Sequence, residues 1–439
     1  MSQASPTFKS RRRPATTDVA RRGLPPTSVP TTRPITRYGS SYWTMRPAPP
    51  ARGSYPPLRG SHACDVVVVG GGLTGCLVAH ELARTGARVV LLERDRLGAG
   101  GTAGDLGIVQ PTPGVRFVDL REARGLRAAR SIWDASRRAA LEWMAFARRT
   151  RLRCALDAVD FLECATTTDA AAQLEREYAA LKDAGFDASW LPARRVRQVT
   201  GAEGEAAMRL TGAGVFDPYR ACFGVARLAA KAGAMLCEQS EVTRVAVRRH
   251  DVEVVTPKAT VTAATVLFAS RLPTAGLRAL ERHFWTEERY VVALPEMTPS
   301  QRRRLGPTGT VVADLAVPPH AWRWTADGAL LFAGAAQRPV PPRQQGQALV
   351  QRTGQLMYEL SLHYPQVSGT PAASGWSVPV TTAGDGLPIV GSHRGFPRHL
   401  FALGLGAAGV SGAWLAARML ARRLTGASDR HGELFAFGR

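Results

Sequence analysis

The stretch D-V-V-V-V-G-G-G-L-T-G, residues Asp65–Gly75, decides the fold of this chain. Its four consecutive valines, Val66–Val69, predict a strand that is buried on both faces, as in a parallel sheet. Glycines follow in the spacing Gly-x-Gly-x-x-Gly, and the segment from Leu73 to Thr85 then predicts a helix. A glycine motif between a buried strand and a helix is typical of a turn that binds the phosphates of a dinucleotide.

Each glycine of this motif has its own role in such a turn. Gly70 permits the tight turn, Gly72 lets the main chain approach a pyrophosphate, and Gly75 lets the helix pack closely against the strand. The N–H groups near Leu73 and Thr74 carry the positive end of the helix dipole toward the phosphates. We therefore expect all five residues to contribute to a dinucleotide site.

A second buried strand, Arg88–Glu93, follows the helix and completes a strand–helix–strand unit. Glu93 ends this strand about 20 residues after the glycines, where an acidic side chain accepts hydrogen bonds from a ribose diol and repels a 2′-phosphate. Arg94 follows it at the same end of the site. The unit predicts an adenosine dinucleotide without that phosphate, and by itself it fits FAD and NAD equally.

The rest of the chain continues an α/β pattern without an internal repeat. Amphipathic periodicity and apolar runs predict the further elements, which are helices over residues 126–146, 170–182 and 410–424, strands over residues 242–247, 252–255 and 265–269, and a β-hairpin of residues 322–325 and 329–332.

The composition bears on partners and compartment. The formal net charge of +22 comes almost entirely from arginine, because the chain has only four lysines. This excess of arginine over lysine is typical of a bias in codon composition rather than of a surface selected to bind a partner. Nucleic acid is therefore not the expected partner. No apolar run reaches the roughly 18 residues of a membrane helix, and no export signal is visible. We therefore expect a cytoplasmic protein.

The cysteines and histidines predict no metal chemistry. The six cysteines form no C-x-x-C pair, and the nine histidines show no ligand spacing with them or with one another. The cysteines are instead typical of small, reduced core residues.

Residues 1–60 are rich in Pro, Ser, Thr and Arg and show no apolar periodicity. A segment of this composition buries too little surface to offset the entropy of ordering, so we predict that it is disordered. Its composition is also compatible with a transit peptide. The stretch Ser41-Tyr42-Trp43 near its end is expected to pack on the folded body.

Further motifs carry a resemblance to a known family. After the first unit come G-A-G-G-T-A-G-D-L-G-I-V at Gly98–Val109 and G-V-F-D-P at Gly214–Pro218; later come W-R-W-T-A-D-G-A-L-L-F at Trp322–Phe332, W-S-V-P-V-T-T-A-G-D-G-L-P-I-V-G at Trp376–Gly391, and F-A-L-G-L-G-A-A-G-V at Phe401–Val410. In order and spacing over residues 40–425 the chain resembles the D-amino-acid oxidase and glycine oxidase superfamily of FAD-dependent amine oxidoreductases. Within it, the chain is similar to the subgroup that includes gamma-glutamylputrescine oxidase.

The resemblance implies a Rossmann-type, glutathione-reductase-like FAD-binding domain with an interleaved antiparallel α+β substrate domain. We expect the FAD-binding domain to comprise residues 61–120, 200–275 and 372–426. The substrate or cap domain is expected to comprise residues 121–199 and 276–371, with a C-terminal tail at residues 427–439.

The resemblance also implies that FAD spans two distant glycine-rich segments. Besides the residues of the first unit, the implied FAD contacts are Thr102, Ala103, Val242, Ala269, Asp385, Gly404, Gly406, Gly409 and Val410. The positive end of the helix that begins near Val410 would face the pyrimidine side of the flavin. Relatives that hold FAD covalently use a C-terminal cysteine, and no cysteine lies beyond Cys237, so we expect noncovalent FAD.

Three departures from the family pattern lie near the implied flavin. Asp105 ends the stretch Ala103-Gly104-Asp105, where relatives usually carry Arg-Asn. Ala407 and Ala408 stand where relatives often read Gly-Gly-His-Gly, and Ala269-Ser270-Arg271 stands where they read Ala-Thr-Gly. We expect FAD binding to survive these changes, which bear on turnover and on the usual substrate.

The implied reaction is oxidation of a small-molecule amine or amino acid by hydride transfer to the flavin, which needs no obligatory base when the amine arrives neutral. We therefore name no catalytic proton-transfer residue. Arg323 is the expected contact for a substrate carboxylate, with Trp322 beside it. Oxygen, or a quinone or other carrier, is expected to accept the electrons.

Two alternatives remain open from the sequence. The basic charge favours a flavoprotein that modifies an aminomethyl group in tRNA, although no attached methyltransferase-like domain is present. The alanines expected near the flavin favour a flavin-binding protein with decayed activity.

Overall fold

The computed structural model describes residues 35–47, 55–270 and 277–439. The strands are β1 (Arg37–Tyr38), β2 (Gly60–Val69), β3 (Val89–Leu92), β4 (Ile108–Val109), β5 (Asp157–Ala165), β6 (Ala188–Pro192), β7 (Ala206–Val215), β8 (Met235–Cys237), β9 (Arg244–Val247), β10 (Val252–Thr256), β11 (Ala259–Phe268), β12 (Phe284–Ala293), β13 (Thr310–Asp314), β14 (Ala321–Trp324), β15 (Leu330–Gln337), β16 (Ser374–Ala383), β17 (Ile389–His393) and β18 (Phe396–Leu403).

The α-helices are α1 (Leu73–Ala83), α2 (Gly101–Gly104), α3 (Phe117–Arg149), α4 (Thr168–Asp183), α5 (Ala193–Thr200), α6 (Pro218–Lys231), α7 (Pro299–Leu305), α8 (Pro342–His363) and α9 (Gly409–Leu424). Helix α3 is interrupted at Gly125, whose φ of 77° and ψ of 161° are not helical. The predicted α/β class is confirmed, and the predicted helices and strands match observed elements, most of which extend a few residues further.

The valine run of the deciding stretch lies at the end of β2. Val66 and Val68 pack in the core formed with α1, α6 and α9, while Val67 and Val69 pack in a second core on the opposite face of the sheet. Strand β2 pairs in parallel with β3 on one side and with β11 on the other. An uninterrupted apolar run is therefore required here, because both faces of this strand are covered.

Within the described residues, the sheet that contains β2 has the order β17-β18-β11-β2-β3-β8, and β10 and β9 continue from β11 as an antiparallel pair. The pairs from β18 to β8 are parallel, so the carboxyl ends of β2 and β3 lie at one edge. Ligands bind at this edge in open parallel sheets.

A second sheet in the described part of the chain has the order β1-β16-β12-β15-β14-β13-β5-β7-β4, with β6 paired to β7. Most of its pairs are antiparallel, apart from β1 with β16 and β5 with β13. Helix α8 covers one face, where Trp322 and Trp324 pack against Leu356 and Leu360. The opposite face carries Val378 and its apolar neighbours.

The N-terminal segment differs from the prediction of disorder over residues 1–60. Strand β1 pairs with β16, and Tyr42 and Trp43 are buried. The Tyr42 hydroxyl donates a hydrogen bond to Asp327, and the Trp43 indole N–H donates one to the Asp105 carbonyl at 2.7 Å. Disorder is therefore wrong for residues 35–47 and 55–60, whereas packing of Ser41-Tyr42-Trp43 is confirmed. Residues 1–34 and 48–54 lie outside the described part of the chain.

The predicted division into domains stays a prediction, and the sheets divide the chain differently at three strands. Strands β4, β7 and β16 belong to the second sheet, although the predicted ranges place them with the FAD-binding residues. The predicted C-terminal tail is anchored, because Phe435 is buried and Arg439 donates hydrogen bonds to Asp385. In the parts of the chain that the structure describes, no helix has the length and apolarity needed to span a membrane.

Candidate active site

A cleft of about 780 Å³ opens where the carboxyl ends of β2 and β3 meet the N-terminal ends of α1 and α9. This volume is in the range of ligand and cofactor sites, roughly 300–1,000 Å³. Predicted site residues from distant parts of the sequence line it together, namely Gly70, Gly72, Leu73, Thr74, Glu93, Arg94, Thr102, Val242, Ala269, Gly404, Gly406, Gly409 and Val410.

The glycine turn after β2 is closely packed. A Cβ atom on Gly75 would lie 1.9 Å from the carbonyl oxygen of Gly70, so a larger residue would force the helix away from the strand. Gly75 itself does not line the cleft and acts through this packing. The Thr102 hydroxyl accepts a hydrogen bond from the Leu73 N–H at 2.9 Å, which fixes the start of α1 beside the cleft. The arrangement suits a phosphate group at the helix N-terminus.

Glu93 holds a fixed position at the end of β3. One carboxylate oxygen accepts a hydrogen bond from the Gly71 N–H at 2.6 Å, and the other accepts one from the Asp95 N–H at 2.9 Å. Each carboxylate oxygen has a second lone pair, so the side chain can still accept hydrogen bonds from the two hydroxyls of a ribose. The main chain thus orients the acid for the predicted role.

The opposite end of the cleft is formed by the glycine-rich segment before α9. Gly406 has a φ of +25°, and a Cβ atom there would lie 2.5 Å from the Thr382 hydroxyl oxygen. No side chain caps α9, and its first residues, Gly409 and Val410, line the cleft. Uncapped N–H groups at a helix start favour an electron-rich or negatively charged group.

These features together fit an FAD molecule. The acid at one end suits a ribose, the turn at the start of α1 suits a pyrophosphate, and the glycine-rich end admits a flat ring close to the main chain. The comparisons with known proteins agree with this fit. The family model described as "FAD dependent oxidoreductase" (DAO) matches residues 65–423.

The chain belongs to this family of FAD-dependent oxidoreductases. A probable oxidoreductase OrdL from Rhizobium meliloti (strain 1021) is 27% identical over 292 residues, which cover 65% of this chain and 67% of that protein. FAD is therefore the cofactor, whereas its noncovalent attachment stays a prediction.

Two solved structures have the same fold. A glycine oxidase from Geobacillus kaustophilus superimposes with a TM-score of 0.70 at 21% identity, covering 86% of this chain and 99% of that one. An L-amino acid deaminase from Proteus vulgaris has a TM-score of 0.70 at 16% identity, with 88% and 100% covered. At these identities the likeness establishes the fold.

Two implied FAD contacts lie elsewhere. Asp385 does not line the cleft; it forms ion pairs with Arg439 at 2.7 Å and with Arg124 at 2.5 Å. Ala103 is buried behind the cleft wall, and its N–H donates a hydrogen bond to the Gly98 carbonyl. The implied contact of Asp385 with FAD stays a prediction, and in this structure two arginines engage its carboxylate.

The two predicted substrate contacts are also structural residues. Arg323 is only 3% exposed, and its guanidinium donates hydrogen bonds to the carbonyls of Leu106, Gly107, Phe216 and Trp324. Trp322 is 2% exposed, lies on the opposite face under α8, and donates a hydrogen bond to the Tyr364 hydroxyl at 3.1 Å. These contacts contradict the predicted roles, because the arginine is engaged by main-chain carbonyls and the tryptophan faces away from the cleft.

Of the departures near the implied flavin, Ala269 and Ser270 line the cleft, and so does Asp105. Its carboxylate accepts a hydrogen bond from the Gly107 N–H at 2.6 Å. Burial raises the pKa of Asp105, although the Gly107 N–H and nearby arginines act in the opposite direction. Ala407 and Ala408 do not line the cleft, and Ala407 packs against Gly114 instead.

A cluster of possible metal ligands lies beside α8, where sequence spacing predicted none. Asp314, His320 and His363 come from separate elements, and their ligand atoms lie within 4.8 Å of one another. His320 is held by Asp314 at 2.7 Å and by Glu359 at 3.0 Å. Burial opposes protonation of His320, but the two carboxylates outweigh it and raise its pKa. Hydrogen bonds between these side chains already explain the cluster.

Replacement of Glu93 tests the ribose end of the cleft. Glu93→Ala removes charge-assisted hydrogen bonds worth roughly 1.5–3 kcal/mol, so we expect FAD affinity to fall about ten- to a hundredfold. Titration of the apoprotein with FAD, followed by flavin fluorescence, measures this loss. Glu93→Gln, which keeps an acceptor for a main-chain N–H, should lose less. Equal FAD affinity in all three proteins would show that Glu93 does not bind the ribose.

Replacement of Arg323 tests the revised assignment of that residue. Arg323→Leu leaves buried carbonyls without donors, so we expect the free energy of unfolding to fall by about 2–4 kcal/mol. Denaturant unfolding of the holoprotein measures this change, with the exposed Arg338→Leu as the matched control. If the Arg323→Leu variant were as stable as the unaltered protein but lost flavin reduction by amino acids selectively, Arg323 would again be the expected carboxylate contact.

Proposed function

We propose that this FAD-dependent oxidoreductase oxidises a C–N bond of an amine or amino acid by hydride transfer to the flavin. The observation that carries the proposal is one cleft lined both by Glu93 and by the glycine-rich segment Gly404–Gly409, with apolar side chains such as Val378 and Val380 in its wall. The similarity to a glycine oxidase and an L-amino acid deaminase supports nitrogen, rather than oxygen, on the carbon that is oxidised.

The chain contributes orientation and a water-poor environment to this reaction. When bound, FAD supplies the hydride acceptor, since flavins take a hydride from the carbon next to an amine. Apolar side chains line the cleft near its glycine-rich end, namely Phe216, Pro218, Val378, Val380 and Leu405. They keep water from the reacting carbon, while the start of α9 provides a positive field at the same end.

The cycle requires an electron acceptor, which we propose to be oxygen or a quinone or other carrier. Neither the family match nor the structural neighbours support the alternative of a tRNA-modifying enzyme. A flavin-binding protein without turnover remains the second candidate, since Asp105 places a charge in the cleft where relatives usually carry Arg-Asn.

Anaerobic flavin reduction tests the proposed function. We expect at least one amino acid or amine from a broad panel to bleach the visible flavin absorption of the holoprotein. The product should be an imine that hydrolyses to a carbonyl compound and ammonia or a smaller amine. Readmission of air should restore the colour within seconds to minutes in an oxidase, and a quinone should do so where oxygen does not.

The matched controls are 2-hydroxy acids and glycerol 3-phosphate, which offer a C–O bond in place of a C–N bond. Bleaching by these compounds and by no amine would contradict the proposal. A flavin that dithionite reduces but no donor bleaches would favour the protein without turnover.

A further inference from the structure

Three possible metal ligands meet on the face of the second sheet that α8 covers, which is the face opposite the FAD cleft. Asp314 ends β13, His320 directly precedes β14 and His363 ends α8. Their ligand atoms lie within 4.8 Å of one another. Oδ2 of Asp314 is 2.7 Å from Nδ1 of His320 and 3.7 Å from Nε2 of His363. A carboxylate and two imidazoles from separate elements thus converge on one point.

The spacing of these atoms is close to that of a tetrahedral zinc site. Zinc binds histidine nitrogen at roughly 2.0–2.1 Å and carboxylate oxygen at roughly 2.0–2.2 Å, so tetrahedral ligand atoms stand about 3.3 Å apart. The two observed separations from Asp314, 2.7 Å and 3.7 Å, lie on either side of that value. Movements of about half an ångström would bring these atoms to bonding distance from one cation.

Main-chain donors orient the Asp314 carboxylate toward the two histidines. Its Oδ1 accepts hydrogen bonds from the N–H groups of His320 at 2.7 Å and Ala316 at 3.2 Å. Oδ2 therefore faces the imidazoles of His320 and His363. The side chain of Asp314 is only 2% exposed, so buried contacts fix this orientation. One carboxylate oxygen is thereby held in the position of a ligand.

A carboxylate of α8 holds the far nitrogen of His320. Nε2 of His320 lies 3.0 Å from Oε2 of Glu359, and Gln355 donates a hydrogen bond to the other Glu359 oxygen at 2.8 Å. An imidazole that binds a metal through one nitrogen usually donates its other N–H to a carboxylate or carbonyl, which fixes the tautomer and the direction of the ring. Glu359 therefore gives His320 the orientation of a metal ligand, with Nδ1 directed at Asp314.

His363 completes the ligand set from the end of α8. Its ring packs against Trp322, with 4.8 Å between the ring centroids, and its side chain is 12% exposed. The distance of 3.7 Å from its Nε2 to Asp314 is too long for a hydrogen bond. Burial lowers the pKa of His363, so its imidazole is neutral near neutral pH. A neutral imidazole is the form that binds a metal.

We propose that Asp314, His320 and His363 bind a divalent transition-metal cation, Zn²⁺ in the first place, with water as the fourth ligand. Two imidazoles and a carboxylate suit zinc, whereas Mg²⁺ and Ca²⁺ prefer oxygen ligands. The carboxylates of Asp314 and Glu359 compensate for the charge of the cation. The metal joins the turn between β13 and β14 to the end of α8, so its role is to stabilise this side of the sheet.

Proton release distinguishes a metal ligand from a residue that only shares a network of charges. Three groups face His320: Asp314 from β13, and Glu359 and His363 from α8. Burial opposes protonation of His320, but the two carboxylates outweigh it and raise its pKa. Below that raised pKa the Nδ1 proton must leave when a metal binds there, so zinc affinity should increase with pH until His320 is neutral.

Titration of the holoprotein with ZnCl₂, after a chelator has removed bound metal, tests the site. Calorimetry in two buffers of different ionisation enthalpy measures the zinc affinity and the number of protons released. We expect a dissociation constant in the micromolar range or below, release of about one proton per Zn²⁺ below the raised pKa of His320, and no binding of Mg²⁺ at the same concentration. Zinc should also raise the melting temperature, because it binds the folded protein alone.

Replacement of His363 is the main test of the ligand set. His363→Phe removes one ligand and keeps a flat ring against Trp322, so the variant should fold and retain its flavin. Its zinc affinity should fall by more than the roughly ten- to hundredfold that loss of an outer carboxylate costs. Glu359→Gln, which acts on the metal through His320, should weaken zinc binding about tenfold.

His393→Phe is the matched control. It removes a histidine from another pair of neighbouring imidazoles, His283 and His393, whose ring centroids are 6.0 Å apart. The zinc affinity of this variant should equal that of the unaltered protein. Zinc affinity that falls in His393→Phe but not in His363→Phe would place the cation elsewhere and overturn the inference.

Three further results would overturn it. The first is no zinc binding at millimolar ZnCl₂ by folded, flavin-loaded protein. The second is zinc binding below the raised pKa of His320 without release of a proton, because His320 would then not bind through Nδ1. The third is a change in flavin content or in anaerobic flavin reduction when zinc is removed, since a stabilising site on the opposite face should leave both unaltered.

Discussion

The close approach of Gly75 to the carbonyl of Gly70 is the constraint on which the rest of the site depends. A Cβ atom has no room between them, so the start of α1 lies directly against the end of β2. This contact brings the free N–H groups of the helix to the carboxyl edge of the parallel sheet, where Glu93 ends the adjacent strand. The position of the cleft follows from the covered strand β2 and the glycines that end it.

The cofactor half of the site could be predicted from the sequence because its determinants are local and belong to the main chain. The glycine spacing, the buried valine strand and the acid at the end of the next strand can each be recognised in the amino-acid sequence alone. Gly404, Gly406 and Gly409 required the family resemblance, since a glycine-rich loop before a core helix is ambiguous by itself. They line the same cleft as Gly70 and Gly72.

The substrate half could not be predicted in the same way, because it depends on which face of a strand a side chain takes. Arg323 lies in a conspicuous motif, yet it projects into a loop whose carbonyls engage it. Partners far apart in sequence decide this outcome.

The identity of the cofactor is the most direct test of the cleft described above. The measurement is heat or acid release of the bound chromophore from purified protein, followed by chromatography and mass determination against FAD, FMN and NAD. We expect intact FAD in the supernatant, in an amount equimolar with the chain. Recovery of FMN or NAD instead would contradict the claim that FAD binds in the cleft between the two glycine-rich segments. A flavin that stays with the precipitated chain would contradict noncovalent attachment.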